Sequence, residues 1–146
     1  MGDLTANLSR SEFACNCGCG FDAVNIGLPE ILQDVADHFS SLYDAPVQMR
    51  FTSGNRCHWY NTSLRIEYNQ SNGQRGANTA VGSKHLFGMA VDFKIFIFAN
   101  DVWNQVAPAE VATYLENKYP FKFGIGRYKT RTHFDNRTDG PARWGN

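Results

Sequence analysis

The feature that most restricts this chain is a carboxylate set inside its most apolar stretch. Val91 to Ala99, V-D-F-K-I-F-I-F-A, reads as a buried strand interrupted by Asp92 and Lys94. The run is far shorter than the ~20 apolar residues a membrane-spanning helix needs, so a membrane segment is not expected. An unpaired carboxylate inside such a strand is costly to bury, and any fold the chain adopts must bring Asp92 a partner.

Two flanking motifs supply partners. In S-K-H-L-F-G-M-A-V-D-F, residues 83–93, Gly88 stands between His85 and Asp92, and a turn there lets a loop histidine meet a strand aspartate. Near the end, T-H-F-D (residues 132–135) puts His133 and Asp135 on one face of a strand, because strand side chains alternate with period two. Two imidazoles and one carboxylate, His85, His133 and Asp92, are the ligand set of a catalytic zinc site whose fourth position takes water. Zinc acidifies that water and polarises a carbonyl, so a nearby carboxylate would complete a peptide hydrolase. By spacing, Asp135 is the best placed.

The rest of the chain reads as a mixture of helix and strand. L-P-E-I-L-Q-D-V-A-D-H-F-S-S-L-Y carries Leu28, Ile31, Leu32, Val35, Phe39 and Leu42 on one stripe, which predicts a helix from about Pro29 to Tyr43, stopped by D-A-P at 44–46. P-V-Q-M-R-F-T-S then alternates as a strand. Residues 54–82 turn polar and predict a short helix followed by a long surface loop, of the kind that borders binding sites. A strand over G-M-A-V-D-F-K-I-F-I-F follows, then a helix opened by Pro108. A terminal hairpin of F-K-F-G-I-G-R-Y with T-R-T-H-F-D completes the pattern. Without strict βαβ alternation this favours an α+β fold, a small and mainly antiparallel sheet flanked by helices.

With 146 residues, 42% of them hydrophobic, the chain has material for one core, and one domain over 1–146 is expected. Fourteen basic residues balance fourteen acidic ones and no run of like charge occurs, so a nucleic-acid or polyanion partner is not expected. The amino terminus lacks the pattern of a secretory signal. Cys15, Cys17 and Cys19 fall within five residues and Cys57 stands far away. Reduced thiols, disulfide partners and ligands of a second, structural zinc all stay open for these four, although C-x-C-x-C is tighter than the usual two-residue zinc knuckle. His38 and His58 read as ordinary histidines. Phe13, Phe21, Trp59, Tyr60, Trp103 and Trp144 suit core filling better than a glycan-stacking platform, and Tyr128 stays outside the catalytic set.

Taken together, S-G-N-R-C-H-W-Y-N, S-K-H-L-F-G-M-A-V-D, G-I-G-R-Y and T-H-F-D resemble the peptidoglycan-cleaving zinc D-alanyl-D-alanine carboxypeptidases, over nearly the whole chain. That group shares its fold and zinc ligands with D-Ala-D-Ala dipeptidases, L-alanyl-D-glutamate endolysins and the Hedgehog signalling domain, and short members are commonly carried by bacteriophages. The resemblance implies His85, Asp92 and His133 as ligands of one catalytic zinc. It implies Arg56, in S-G-x-R, as the donor that steadies a substrate carbonyl or the transition-state oxyanion, and Ser83 as a substrate-binding serine. It further implies a monomer that acts on peptidoglycan stem peptides, made in the cytoplasm and reaching the cell wall by phage delivery or another route.

One departure bears on the base. Several relatives carry an acid three residues before the final histidine, where this chain has Thr130. Asp135 then serves either as base or as the partner that orients a ligand histidine, with Glu67 and Glu116 as remoter carboxylates. A non-catalytic, zinc-stabilised binding domain of the same fold is the alternative reading.

Overall fold

The computed structural model of the chain describes residues 2–71 and 82–145. After an irregular amino-terminal segment the elements run α1 (Leu28–Tyr43), β1 (Val47–Ser53), α2 (His58–Ser71), β2 (Ala90–Ala99) and β3 (Val102–Gln105). They continue as α3 (Pro108–Lys118), β4 (Gly124–Arg127), β5 (Thr132–Asp135) and β6 (Ala142–Gly145). The strands form one sheet in the order β1-β2-β5-β4-β6, with β3 also paired to β2. Every pairing is antiparallel except β4 with β6, so the architecture is α+β with a mainly antiparallel sheet. Among the described residues no helix is long and apolar enough to cross a membrane.

Period two divides β2 into two faces. Val91, Phe93, Ile95 and Ile97 point into the core, where they meet Leu28, Leu32, Val35, Ala36 and Phe39 of α1 and Val111, Ala112 and Leu115 of α3. These are the stripes a 3.6-residue period selects, and Pro29 and Pro108 sit in the first turns, where a missing amide costs nothing. Leu42 falls on the predicted stripe but is exposed, since α1 has nearly ended there. The opposite face of the sheet carries Asp92, and next to it on β5, His133 and Asp135.

Two strands escape the sequence pattern. β3 follows β2 through Asn100 and Asp101, both with positive φ (55° and 64°), the conformation of a two-residue hairpin turn that these residue types tolerate. β6 is four residues, A-R-W-G, too short to show alternation, and its pairing to β4 comes from the fold rather than from its own sequence. The tryptophans do not fill the core as composition suggested: Trp59 is 70% exposed and Trp103 39%, while Trp144 lies against His133. The expected polar loop falls at 72–81, outside the described residues.

Phe93 is fully buried at the centre of the sheet, on the face away from Asp92. Phe93→Ala should cost about 3–5 kcal/mol of stability. Urea denaturation measures it, and a loss below about 1 kcal/mol would show that this face is not the core.

Candidate metal centre

Each residue of the centre is placed by local chain geometry. Gly88 ends a short 3-10 turn (Lys84–Phe87) in the left-handed region, φ 68°, and a Cβ there would run into the backbone of Ala23. The turn is capped at its start by Ser83, whose Oγ accepts from the His85 amide at 3.3 Å. This holds His85 over the beginning of β2. Asp92 and His133 are direct cross-strand partners in the β2–β5 ladder, and Asp135 lies two residues along the same face.

The structure brings His85, Asp92 and His133 together, all three buried, with one potential ligand atom from each lying within 4.8 Å of the others. His85 Nδ1 donates to the Gly54 carbonyl at 2.6 Å, which leaves Nε2 as the nitrogen with a lone pair. Among the described residues that Nε2 finds no hydrogen bond; it is buried, 3.5 Å from Asp92 Oδ2. His133 Nδ1 lies 2.9 Å from Asp92 Oδ1, and its other nitrogen, Nε2, meets Asp135 Oδ2 at 2.8 Å. A buried imidazole nitrogen with no hydrogen-bond partner among the described residues, turned toward a carboxylate and a second imidazole, is what a metal ligand looks like when its own tautomer is fixed from behind. Two nitrogens and one carboxylate oxygen fit zinc.

Electrostatics follow from burial and pairing. Burial opposes ionisation of Asp92, but its hydrogen bond with His133 and the nearby His85 ring outweigh this and hold its carboxyl well below the usual carboxylate range. Burial lowers the pKa of His85, with Asp92 only partly compensating. For His133 burial again acts downward, yet contacts with Asp135 and Asp92 prevail and raise it. Arg56 is buried, donates from Nε to Ser53 Oγ at 3.1 Å, and places Nη2 3.4 Å from Asp92 Oδ2. Its amide donates to the His85 carbonyl at 2.9 Å, so arginine and histidine are fixed to one another.

Asp135 is fully buried. Besides His133, its oxygens receive Arg137 Nε at 2.6 Å and Nη2 at 2.8 Å. Burial alone would raise its pKa, but Arg137 and then His133 hold it well below the usual range. Those contacts occupy both of its oxygens. Of the remoter acids, Glu116 is engaged by Arg127 at 3.0 and 2.8 Å, and the Glu67 side chain lies outside the described residues.

Sequence reasoning missed several contributors. Arg137 completes H-x-D-x-R, a spacing that carries it back to Asp135, and this was the available signal. Trp144 packs on His133 with ring centres 4.8 Å apart and donates from Nε1 to the Tyr128 hydroxyl at 2.9 Å. Gly126, between them in the ladder, has no Cβ because one would strike the indole. Arg131 lies over the Tyr128 ring at 4.1 Å, with Nε 3.8 Å from Asp92 Oδ2. No periodicity marks these residues. Elsewhere the structure gathers Cys15, Cys17, Cys19 and Cys57 into a second group of four free thiols, and His38 stacks on Tyr114 at 3.8 Å.

A family model described as peptidase M15 matches residues 6–135, which include His85, Asp92, His133 and Asp135. The chain belongs to the M15 peptidase family. M15 peptidases are zinc-dependent and similar to D-Ala-D-Ala carboxypeptidases, and the M15 centre here has the donor set that zinc takes. No curated protein matches the chain.

If Asp135 fixes His133 from behind, Asp135→Ala should weaken zinc binding about 10-fold to 100-fold. Competition against a chromophoric chelator measures this, and an unchanged affinity would remove Asp135 from the centre.

Proposed function

We propose that this M15 peptidase hydrolyses a peptide bond in bacterial peptidoglycan stem peptides, and that it removes the terminal D-alanine of a D-Ala-D-Ala end. The observation that supports this reading is the clustering of arginine at the centre. Among the described residues Arg56 and Arg131 both approach Asp92, and Arg137 pairs with Asp135, so three guanidinium groups gather at the centre even before a metal is bound. Such a field favours an anion, and a peptide ending in a free carboxylate supplies one. Arg131 is the most exposed of the three and so the one most open to a carboxylate arriving from solvent.

Zinc, when bound by His85, Asp92 and His133, supplies a Lewis acid and an acidified water. The rest is the work of the chain. Asp135 Oδ2 accepts the His133 Nε2 proton and keeps the ring from turning, while Arg137 keeps Asp135 ionised. Arg56, clamped by Ser53 and by the His85 carbonyl, is a rigid cation beside the triad, suited to the oxygen on which charge develops. Ser83 spends an acceptor lone pair on the His85 amide, and its hydroxyl hydrogen is left to donate to substrate. In this reading Asp135 orients rather than abstracts a proton.

A non-catalytic binding domain draws support from the same residue, because the only carboxylate on β5 is fully engaged by His133 and Arg137. The two readings separate in one experiment. Mass spectrometry of pentapeptide muropeptides incubated with the zinc-loaded protein should show loss of one D-alanine, stopped by chelator and by His85→Ala. Arg56→Lys should lower kcat about 100-fold to 1000-fold with a smaller effect on KM. Binding to intact peptidoglycan with no new product would favour the binding domain. Cleavage only inside cross-bridges would make the enzyme an endopeptidase.

A further inference from the structure

We propose that Cys15, Cys17, Cys19 and Cys57 hold a second, structural zinc ion that ties the amino-terminal segment to the base of α2, next to Arg56. The site is separate from the histidine centre, and its metal can be counted whether or not the protein hydrolyses a substrate.

The four sulfurs all lie within 4.8 Å of one another. Cys15 Sγ is 3.4 Å from Cys17 Sγ, and Cys17 Sγ is 3.7 Å from Cys57 Sγ. Four thiolates at ~2.3 Å from a tetrahedral zinc stand about 3.8 Å apart, so the spacing is that of a ligand shell. It is much too long for a bonded pair of sulfurs, and all four thiols are free. Cys17 is central to the group, since it approaches Cys15 on one side and Cys57, forty residues away, on the other.

The tightness of C-x-C-x-C is resolved by its glycines. Gly18 and Gly20 take φ of 84° and 87°, in the left-handed region, and a turn closes from the Gly18 amide to the Cys15 carbonyl. With two left-handed residues in six, alternate side chains that an extended segment would space out along one face converge on one point. Backbone amides complete the cradle. The Tyr60 amide lies 3.3 Å from Cys57 Sγ, and the Cys57 amide 3.5 Å from Cys15 Sγ. Cys57 immediately precedes α2, where the positive end of the helix dipole favours a thiolate.

The cluster also lies where a cross-link has most to hold. Residues 14–27 contain no helix or strand, yet Asn55 donates from its side chain to the carbonyls of Phe13 and Ala23 at 2.7 Å each, and its amide donates to Phe13 at 2.9 Å. Those contacts and the four sulfurs grip the segment from the 53–57 stretch that carries Arg56. A metal at the cysteines therefore positions Arg56 through its neighbour in the chain.

The test is a metal count by mass spectrometry, supported by cobalt substitution, and needs no turnover. Protein purified under reducing conditions should hold about two zinc ions per chain, and a His85→Ala, His133→Ala double variant should retain about one. Cobalt exchanged into that double variant should give the intense near-ultraviolet bands of thiolate-to-cobalt charge transfer, and Cys17→Ser with Cys57→Ser should abolish them. Should the cysteine variants fail to fold, the histidine double variant alone decides. If it holds no zinc, shows no thiolate bands with cobalt and yields four titratable thiols or a Cys17–Cys57 disulfide, the proposal is overturned.

Discussion

The structure turns on the burial of one charge. Asp92 is 1% exposed, in a strand whose other face is hydrophobic core, and it keeps its ionised form in the company of two imidazoles and two guanidinium groups. Breaking a buried pair of this kind by removing one partner costs about 3–5 kcal/mol, because the remaining charge is left uncompensated. The loop that carries His85, the turn at Gly88, the β2–β5 ladder that delivers His133, and the short stretch that carries Arg56 all serve to meet that one carboxylate. A fold obliged to gather two imidazoles around a buried anion has nearly built a cation site.

The second layer explains why the centre is directional. His85 is fixed by a backbone carbonyl and His133 by Asp135, so each ring is pinned through one nitrogen and presents the other inward. Arg137 and Trp144 then lock the pin: the first pairs with Asp135, the second packs on the His133 ring. Such supports matter because a ligand free to rotate loses entropy on binding metal, whereas a pinned one has lost it during folding.

Much of this was legible in the sequence, for physical reasons. Asp92 stood out because polar residues are conspicuous in an apolar run, and the His133–Asp135 pairing because strand periodicity is strict. The helix stripes and the β4–β5 hairpin followed from the same periodicities. What escaped had no local signature. β3 hangs on a two-residue Asn-Asp turn, β6 on a parallel pairing with a strand already placed, and Tyr128, Arg131 and Trp144 reach the centre only because the sheet brings three chain segments side by side. The two roles open to Asp135 could not be separated by spacing. The orienting role proposed for Asp135 draws its support from Arg137, which the H-x-D-x-R spacing brings back onto the same carboxylate.

The most direct test is anomalous diffraction at the zinc absorption edge from crystals of the zinc-loaded protein. A peak is expected at the point bounded by His85 Nε2, the Asp92 carboxylate and His133 Nδ1, about 2.0–2.2 Å from each, with Asp135 still on His133 Nε2. No peak there, or a His133 ring turned so that Nε2 faces the metal and Asp135 is released, would contradict the account.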